Sequence, residues 1–209
     1  MSDNLTKQLL IAMPSMEDSN FSRTVTLICE HSQDGAMGII INQPTQIRVD
    51  ELMGSLKTAT DTNNDLTSAT ESDFSSNDKN KVVTQNHSPN RSPVFAGGPV
   101  QIDRGFILHD SDKQWESTHM IDNDLCLTTS EDILLAIADG KGPENSLVAL
   151  GYAGWGTGQL EQEISQNSWL TVPYEADIIF DTPVEKRWQS AATKIGIDLH
   201  LISNQTGHA

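Results

Sequence analysis

Apolar and polar residues alternate along this chain with two different periods. Val25, Leu27 and Cys29 fall on one side of a run whose other side holds Thr26 and Glu30, which predicts a half-buried strand. His31-Ser32-Gln33-Asp34-Gly35 follows as a turn, because Asp34-Gly35 supplies the positive-φ backbone of a hairpin connection. Ala36 to Asn42, centred on Ile39-Ile40-Ile41, predicts a strand covered on both faces and ended by Asn42-Gln43-Pro44. A short helix from about Asp50 to Leu56 comes next.

The later half repeats the alternation of elements. Val94 to Ala96, Arg104 to His109 and Leu125 to Thr129 read as strands, the first two separated by the turn Gly97-Gly98-Pro99. Ser130 stands where a helix cap belongs, Glu131 and Asp132 suit the positive end of the helix, and Gly140 stops it. Leu147 to Leu150 is a buried strand leading into the glycine-rich stretch Gly151 to Gly158 and a helix from Gln159 to Gln166. Thr182-Pro183-Val184-Glu185 has the form of a capping box. Val184, Trp188, Ala191, Ala192 and Ile195 then make one helical stripe closed by Gly196. Ile197, Leu199 and Leu201 alternate with Asp198 and His200 as a closing edge strand. Strands interleaved with helices predict an α/β (α+β) single domain over 1–209, a mixed β-sheet with helices packed on it.

One segment departs from both periods. Residues 58–81 hold 17 Ser, Thr, Asn or Asp among 24, too few apolar groups to offset the entropy of ordering them. The stretch 58–92 is therefore expected to be a polar, disordered insertion within the domain.

The net charge is −16 over 209 residues, and removing 58–92 still leaves 24 acids against 10 bases. Such a body repels phosphate backbones and anionic lipid, so neither direct nucleic-acid binding nor a membrane partner is expected. Two cysteines, Cys29 and Cys126, are too few for a disulfide framework. The apolar run Leu9 to Met13 is shorter than a signal-peptide core, so the chain reads as cytoplasmic.

The chemistry-bearing residues are sparse. Gly154 and Gly156 fit two positions of a dinucleotide fingerprint, but the third position holds Gln159, and no Lys-Ser/Thr follows for a P-loop. Glu161 and Glu163 at the helix start would also repel phosphate, so the stretch reads as a tight strand-to-helix turn. Cys29 and His31, two apart on one strand, share a face as a thiol–imidazole pair, two metal ligands, or a buried thiol beside a strand-end histidine. No second Cys/His pair at ligand spacing accompanies them. Arg23 and Arg104 are rare bases beside strands, suited to holding a carboxylate ligand or to an internal ion pair with the many acids. Core packing is the default for the four indoles, and Trp155, framed by glycines, is the one that could line a groove instead.

A longer series of segments resembles a known family. Leu10-Ile11-Ala12-Met13-Pro14, Phe21-Ser22-Arg23-Thr24-Val25, Phe95-Ala96-Gly97-Gly98-Pro99, Arg104-Gly105-Phe106-Ile107-Leu108-His109 and Gly151-Tyr152-Ala153-Gly154-Trp155-Gly156 are similar to the AlgH/YqgE family. The resemblance runs in order along nearly the whole chain outside the insertion. It implies a bacterial cytosolic α/β protein with a mixed sheet, a family often labelled regulators of transcription, with no established reaction or cofactor.

The expectation that results is a non-enzymatic binding or regulatory module with no cofactor, acting through a protein partner or a small molecule. Its candidate residues are Gly97, Gly98, Arg104, Gly154, Trp155 and Gly156, on segments able to converge. The alternative is an enzyme of unknown reaction whose pocket is formed by the Gly97–Pro99 and Gly151–Gly158 loops.

Overall fold

Successive residues of the central strands are buried on alternating sides, and both sides are apolar. Leu9, Ile11, Leu27, Phe106, Leu108, Leu147 and Ala149 belong to one core, while Leu10, Ala12, Ile28, Ile107 and Val148 belong to two others. With side chains of a strand pointing alternately up and down, this places one core on one face of a sheet and two on the other.

The computed structural model describes residues 4–54, 92–110 and 113–203. All but residue 92 of the expected 58–92 insertion lies outside the described residues, as does the end of the expected Asp50–Leu56 helix. The strands are β1 (Gln8–Ala12), β2 (Val25–Ser32), β3 (Gly35–Ile40), β4 (Pro44–Arg48), β5 (Pro93–Ala96), β6 (Val100–His109), β7 (Thr118–Met120), β8 (Cys126–Thr128), β9 (Ser146–Gly156) and β10 (Trp169–Pro173). They form one sheet in the order β10-β1-β2-β3-β9-β6-β8-β7, with β4 and β5 attached beside the first half of β9. The pairings are antiparallel except β5 with β9, so the sheet is mixed, as the alternating elements predict.

Helices cover both faces. The helix over residues 49–54 is α1. It is followed by α2 (Glu131–Ala138), α3 (Gln159–Ser165), α4 (Ala176–Phe180), a 3₁₀ turn at Val184–Lys186, α5 (Arg187–Thr193) and α6 (Leu199–Ser203). Ile178 and Ile179 of α4, Trp188, Ala191 and Ala192 of α5, and Leu199 of α6 bury against the first face. On the second face α1 and α2 cover Ile107 and Val148, and α3 covers Leu10, Ile28 and Ala153. Burying side chains of this size stabilises by roughly 1.5–3 kcal/mol each, so the sheet is held from both sides.

Four expectations change. The stretch Gly151–Gly156 is not a loop but the second half of β9, paired with β3 through Gly35↔Gly156 and Gly38↔Ala153. Glycine there permits close approach of backbones: a Cβ on Gly98, at φ +152°, would lie 2.1 Å from the Tyr152 carbonyl carbon. Ser130 occupies the cap position of α2, but its hydroxyl donates to Asp132 Oδ1 at 2.5 Å instead of capping a backbone N–H. The Thr182–Glu185 box does not form, because the Thr182 hydroxyl donates to the Asp177 carbonyl at 2.9 Å and closes α4. Leu199 and Leu201 lie on α6, not on an edge strand; Gly196 reverses the chain at φ +74° and Gln189 Oε1 accepts the Leu199 N–H.

Candidate functional site

Two β-bulges shape a concavity among the described residues. In β2 the register slips between Ile28 and Glu30, so Cys29 is an extra residue opposite β3. In β6 the register slips between Val100 and Gly105, so four residues, Gln101 to Arg104, stand opposite a single residue of β9. Bulges bend a strand and re-aim its side chains. Here they flank a cleft of about 770 Å³ on the first face of the sheet.

The floor of the cleft is apolar and aromatic. Met37, Phe106, Leu127 and Tyr152 line it, with the Phe106 and Tyr152 rings edge to face at 5.5 Å. Arg104 lies over the Phe106 ring, its guanidinium carbon 5.4 Å from the centroid. It donates to Gln101 Oε1 and to Thr129 Oγ1, both at 3.4 Å. Those two contacts lie beyond the usual hydrogen-bond range, and an exposed cation over a ring contributes about 0.5–1 kcal/mol. The guanidinium is thus loosely held, with most of its donors uncommitted, and it forms no ion pair among the described residues. At the end formed by the β2–β3 hairpin the rim carries Glu30 and Asp34, and His119 of β7 lines the opposite wall.

The internal ion pairs expected of the two rare arginines are absent among the described residues. Arg23 instead stacks over the Trp188 ring at 5.3 Å. The base that is well buried is Arg187, which donates to the carbonyls of Ile41 and Thr182 and lies over Phe95. Burial pulls its pKa down to about 10.

The β2 bulge also separates the suspected Cys29–His31 pair. Cys29 packs in the first-face core, and Glu30 lines the cleft on that same side. His31 turns to the other face, where Nε2 donates to Glu161 Oε1 at 3.0 Å and Nδ1 accepts the Leu5 N–H at 3.1 Å. Burial first, and the nearby Glu30 carboxylate in addition, push the Cys29 thiol far up, and its Sγ donates to the Leu27 carbonyl. A thiol kept protonated is a poor nucleophile and a poor metal ligand. Cys126 is likewise pushed up by burial and then by Asp110. His109 is fully buried, with Nδ1 donating to the Asp110 carbonyl and Nε2 on the Thr128 hydroxyl. Among the described residues no group of three or more His, Cys, Asp or Glu is disposed to hold a metal ion.

Of the six residues singled out by sequence, Arg104, Gly154 and Trp155 border the cleft. Gly97 and Gly98 do not; they sit beneath it, where Gly97 N–H donates to the Leu150 carbonyl at 2.7 Å and backbone crosses backbone. Gly156 ends β9 and donates to Gln159 Oε1. Trp155 keeps its indole on the opposite face, 5% exposed, packed with Phe21 and Trp169 and donating to Glu163. The residues that sequence reasoning missed are Phe106, Tyr152, Gln101 and Thr129. Phe106 and Tyr152 stood in segments already marked by resemblance, but only the bulges reveal which face they take.

Comparison with known proteins agrees over the whole length. The AlgH-like family model matches residues 9–200. A UPF0301 protein of Thioalkalivibrio sulfidiphilus is 49% identical over 208 residues, covering 100% of this chain and 98% of its own. One from Nitrosococcus oceani is 46% identical over 200 residues, covering 96% and 94%. The solution structure of the AlgH protein from Pseudomonas aeruginosa superposes with a TM-score of 0.70 at 42% identity, covering 100% of this chain and 98% of that one. A crystal structure of a Corynebacterium diphtheriae protein, at 20% identity and TM-score 0.66, shares the fold. The chain belongs to the AlgH-like family.

Proposed function

We propose that this protein is a binding module whose site is the cleft between the two bulges, and that any regulatory role works through what the cleft holds rather than through DNA. The observation that carries this reading is a concavity with an apolar, aromatic lining, Met37 and Tyr152 half-buried over the buried Phe106 and Leu127, and one loosely held guanidinium at its edge. Ligand sites combine this kind of apolar lining with a few placed polar groups, in volumes of roughly 300–1,000 Å³. The reading is also supported by the separation of Cys29 from His31 and the burial of both thiols, which leaves no nucleophile–base pair at the floor. An indirect route to transcription is favoured by the net charge of −16, since duplex DNA binding draws its affinity from cations on phosphate.

Tyr152→Ala, which removes floor area without touching the Gly98 crossing, tests it. A fragment screen followed by thermal shift is expected to find ligands that stabilise the native protein and fail on the variant. Ligands that stabilise both equally place the site elsewhere. Steeply salt-dependent binding to duplex DNA would overturn the indirect route.

A further inference from the structure

Resting on the cleft as the binding site, we propose that its ligand is a small-molecule monocarboxylate with an apolar body, the carboxylate on Arg104 and Thr129 and the body over Phe106 and Tyr152. Three features converge on that chemistry. First, Arg104 presents a planar fork of donors matched to a carboxylate, and its present partners, Gln101 Oε1 and Thr129 Oγ1, hold it only at 3.4 Å. A carboxylate approaching from the cleft gains stronger partners than those it displaces, and Thr129 adds a hydroxyl donor alongside. Second, the wall next to that fork is Phe106, Tyr152, Leu127 and Met37, which rewards an apolar or aromatic body. Third, the charge pattern limits the anion. At the other end of the cleft Glu30 stands on β2, three strands from β6, and Asp34 on the turn into β3, two strands away, at strand spacings of about 4.8 Å each. Both separations exceed the Debye length of about 8 Å at physiological salt, so a single negative charge at Arg104 is largely screened from them. A phosphate ester or other polyanion brings a second charge for which Arg104 is the one arginine lining the cleft.

The β6 bulge is the device that makes this arrangement. Gln101 takes a left-handed conformation, φ +48°, in a non-glycine residue, and the four-residue excursion lifts Arg104 out of the ladder and over Phe106. An ordinary strand at Val100–His109 would leave Arg104 paired into the sheet with Gly151.

The probe is hydrocinnamate, compared by isothermal titration with the neutral hydrocinnamide, with phenethyl phosphate and with a short peptide bearing a free C-terminus. The wild type is expected to bind hydrocinnamate at least about tenfold more tightly than the amide, a difference of about 1.4 kcal/mol. Arg104→Gln is expected to bring acid and amide to equal affinity while leaving the amide unchanged; Arg104 is exposed, so the variant folds. Equal affinity of the wild type for acid and amide, with both lost in Tyr152→Ala, overturns the carboxylate assignment and leaves the cleft standing. Tighter binding of the phosphate or of the peptide overturns the assignment to a small monocarboxylate. Binding that neither variant alters, or no binding of any probe at millimolar concentration, overturns the assignment and the cleft together.

Discussion

Tyr152 and Trp155 are three residues apart on one strand, yet they anchor two aromatic groups of opposite character on opposite faces of the sheet. On the Trp155 side, Trp155 and Trp169 both direct their indole N–H to one oxygen of Glu163, at 3.0 and 2.8 Å, and Gln159 donates to the other. Phe21 closes the group against both indoles. Every polar group has its partner, and the rings are in mutual contact. On the Tyr152 side, Tyr152 and Phe106 meet edge to face beneath an arginine that pairs with no carboxylate among the described residues. The lesson is that aromatic residues alone do not mark a site. What separates scaffold from site is whether the polar group beside them is already satisfied.

The comparison can be broken or sharpened by substitution. Gly98→Ala drives a Cβ into the Tyr152 backbone from a positive φ, at the crossing beneath the floor. It is expected to cost about 4 kcal/mol or more, seen as loss of the cooperative urea transition or a much lower midpoint. Glu163→Ala strands two buried indole N–H groups and is expected to cost about 2–4 kcal/mol in the same measurement. A change under half of that would mean the Trp155 group is not a scaffold.

Asp132 ties the start of α2 to the segment before β7, accepting from the Ser130 hydroxyl and the Glu116 N–H. Burial works against its ionised form but is outweighed by these donors and the N–H groups of Ile133 and Asp132, so its pKa lies below the usual carboxylate value. A depressed carboxylate stabilises above the unfolded value near 3.9, and that stability is lost as pH falls through the folded one. Wild-type stability is therefore expected to drop from about pH 5 to about pH 3 by more than that of Asp132→Asn, followed as urea midpoints at each pH. Equal losses would remove Asp132 from the account. Smallest of all, Arg104→Gln is expected to change stability by no more than about 0.5 kcal/mol, because its present bonds are long and exposed. A large loss would make Arg104 part of the scaffold.

Much of the fold was legible where burial follows period. Ile39 to Ile41, Leu147 to Leu150 and Leu125 to Thr129 are strands because both faces of the sheet are covered, and Trp188, Ala191 and Ala192 of the α5 stripe bury as their spacing predicts, although Ile195 at its end is 43% exposed. Edge strands β4 and β7 were not legible, since they bury little and take their shape from neighbours. The last three-residue alternation, at Ile197 to Leu201, was too short to separate a strand from a helical turn. At the site, Arg104 was legible as a scarce base beside a strand. Its floor was not, because bulges at Cys29 and at Gln101–Arg104 change which face each later side chain takes. A period-two reading of Cys29 and His31 fails for that one reason.

The most direct measurement is a backbone-amide NMR titration of the native protein with hydrocinnamate. The account predicts shifts concentrated at Gln101–Phe106, Thr129 and Tyr152, with Phe21 and Trp169 on the opposite face unmoved. Shifts centred on Phe21, Trp169 and Glu163, or none that track the cleft, would contradict it.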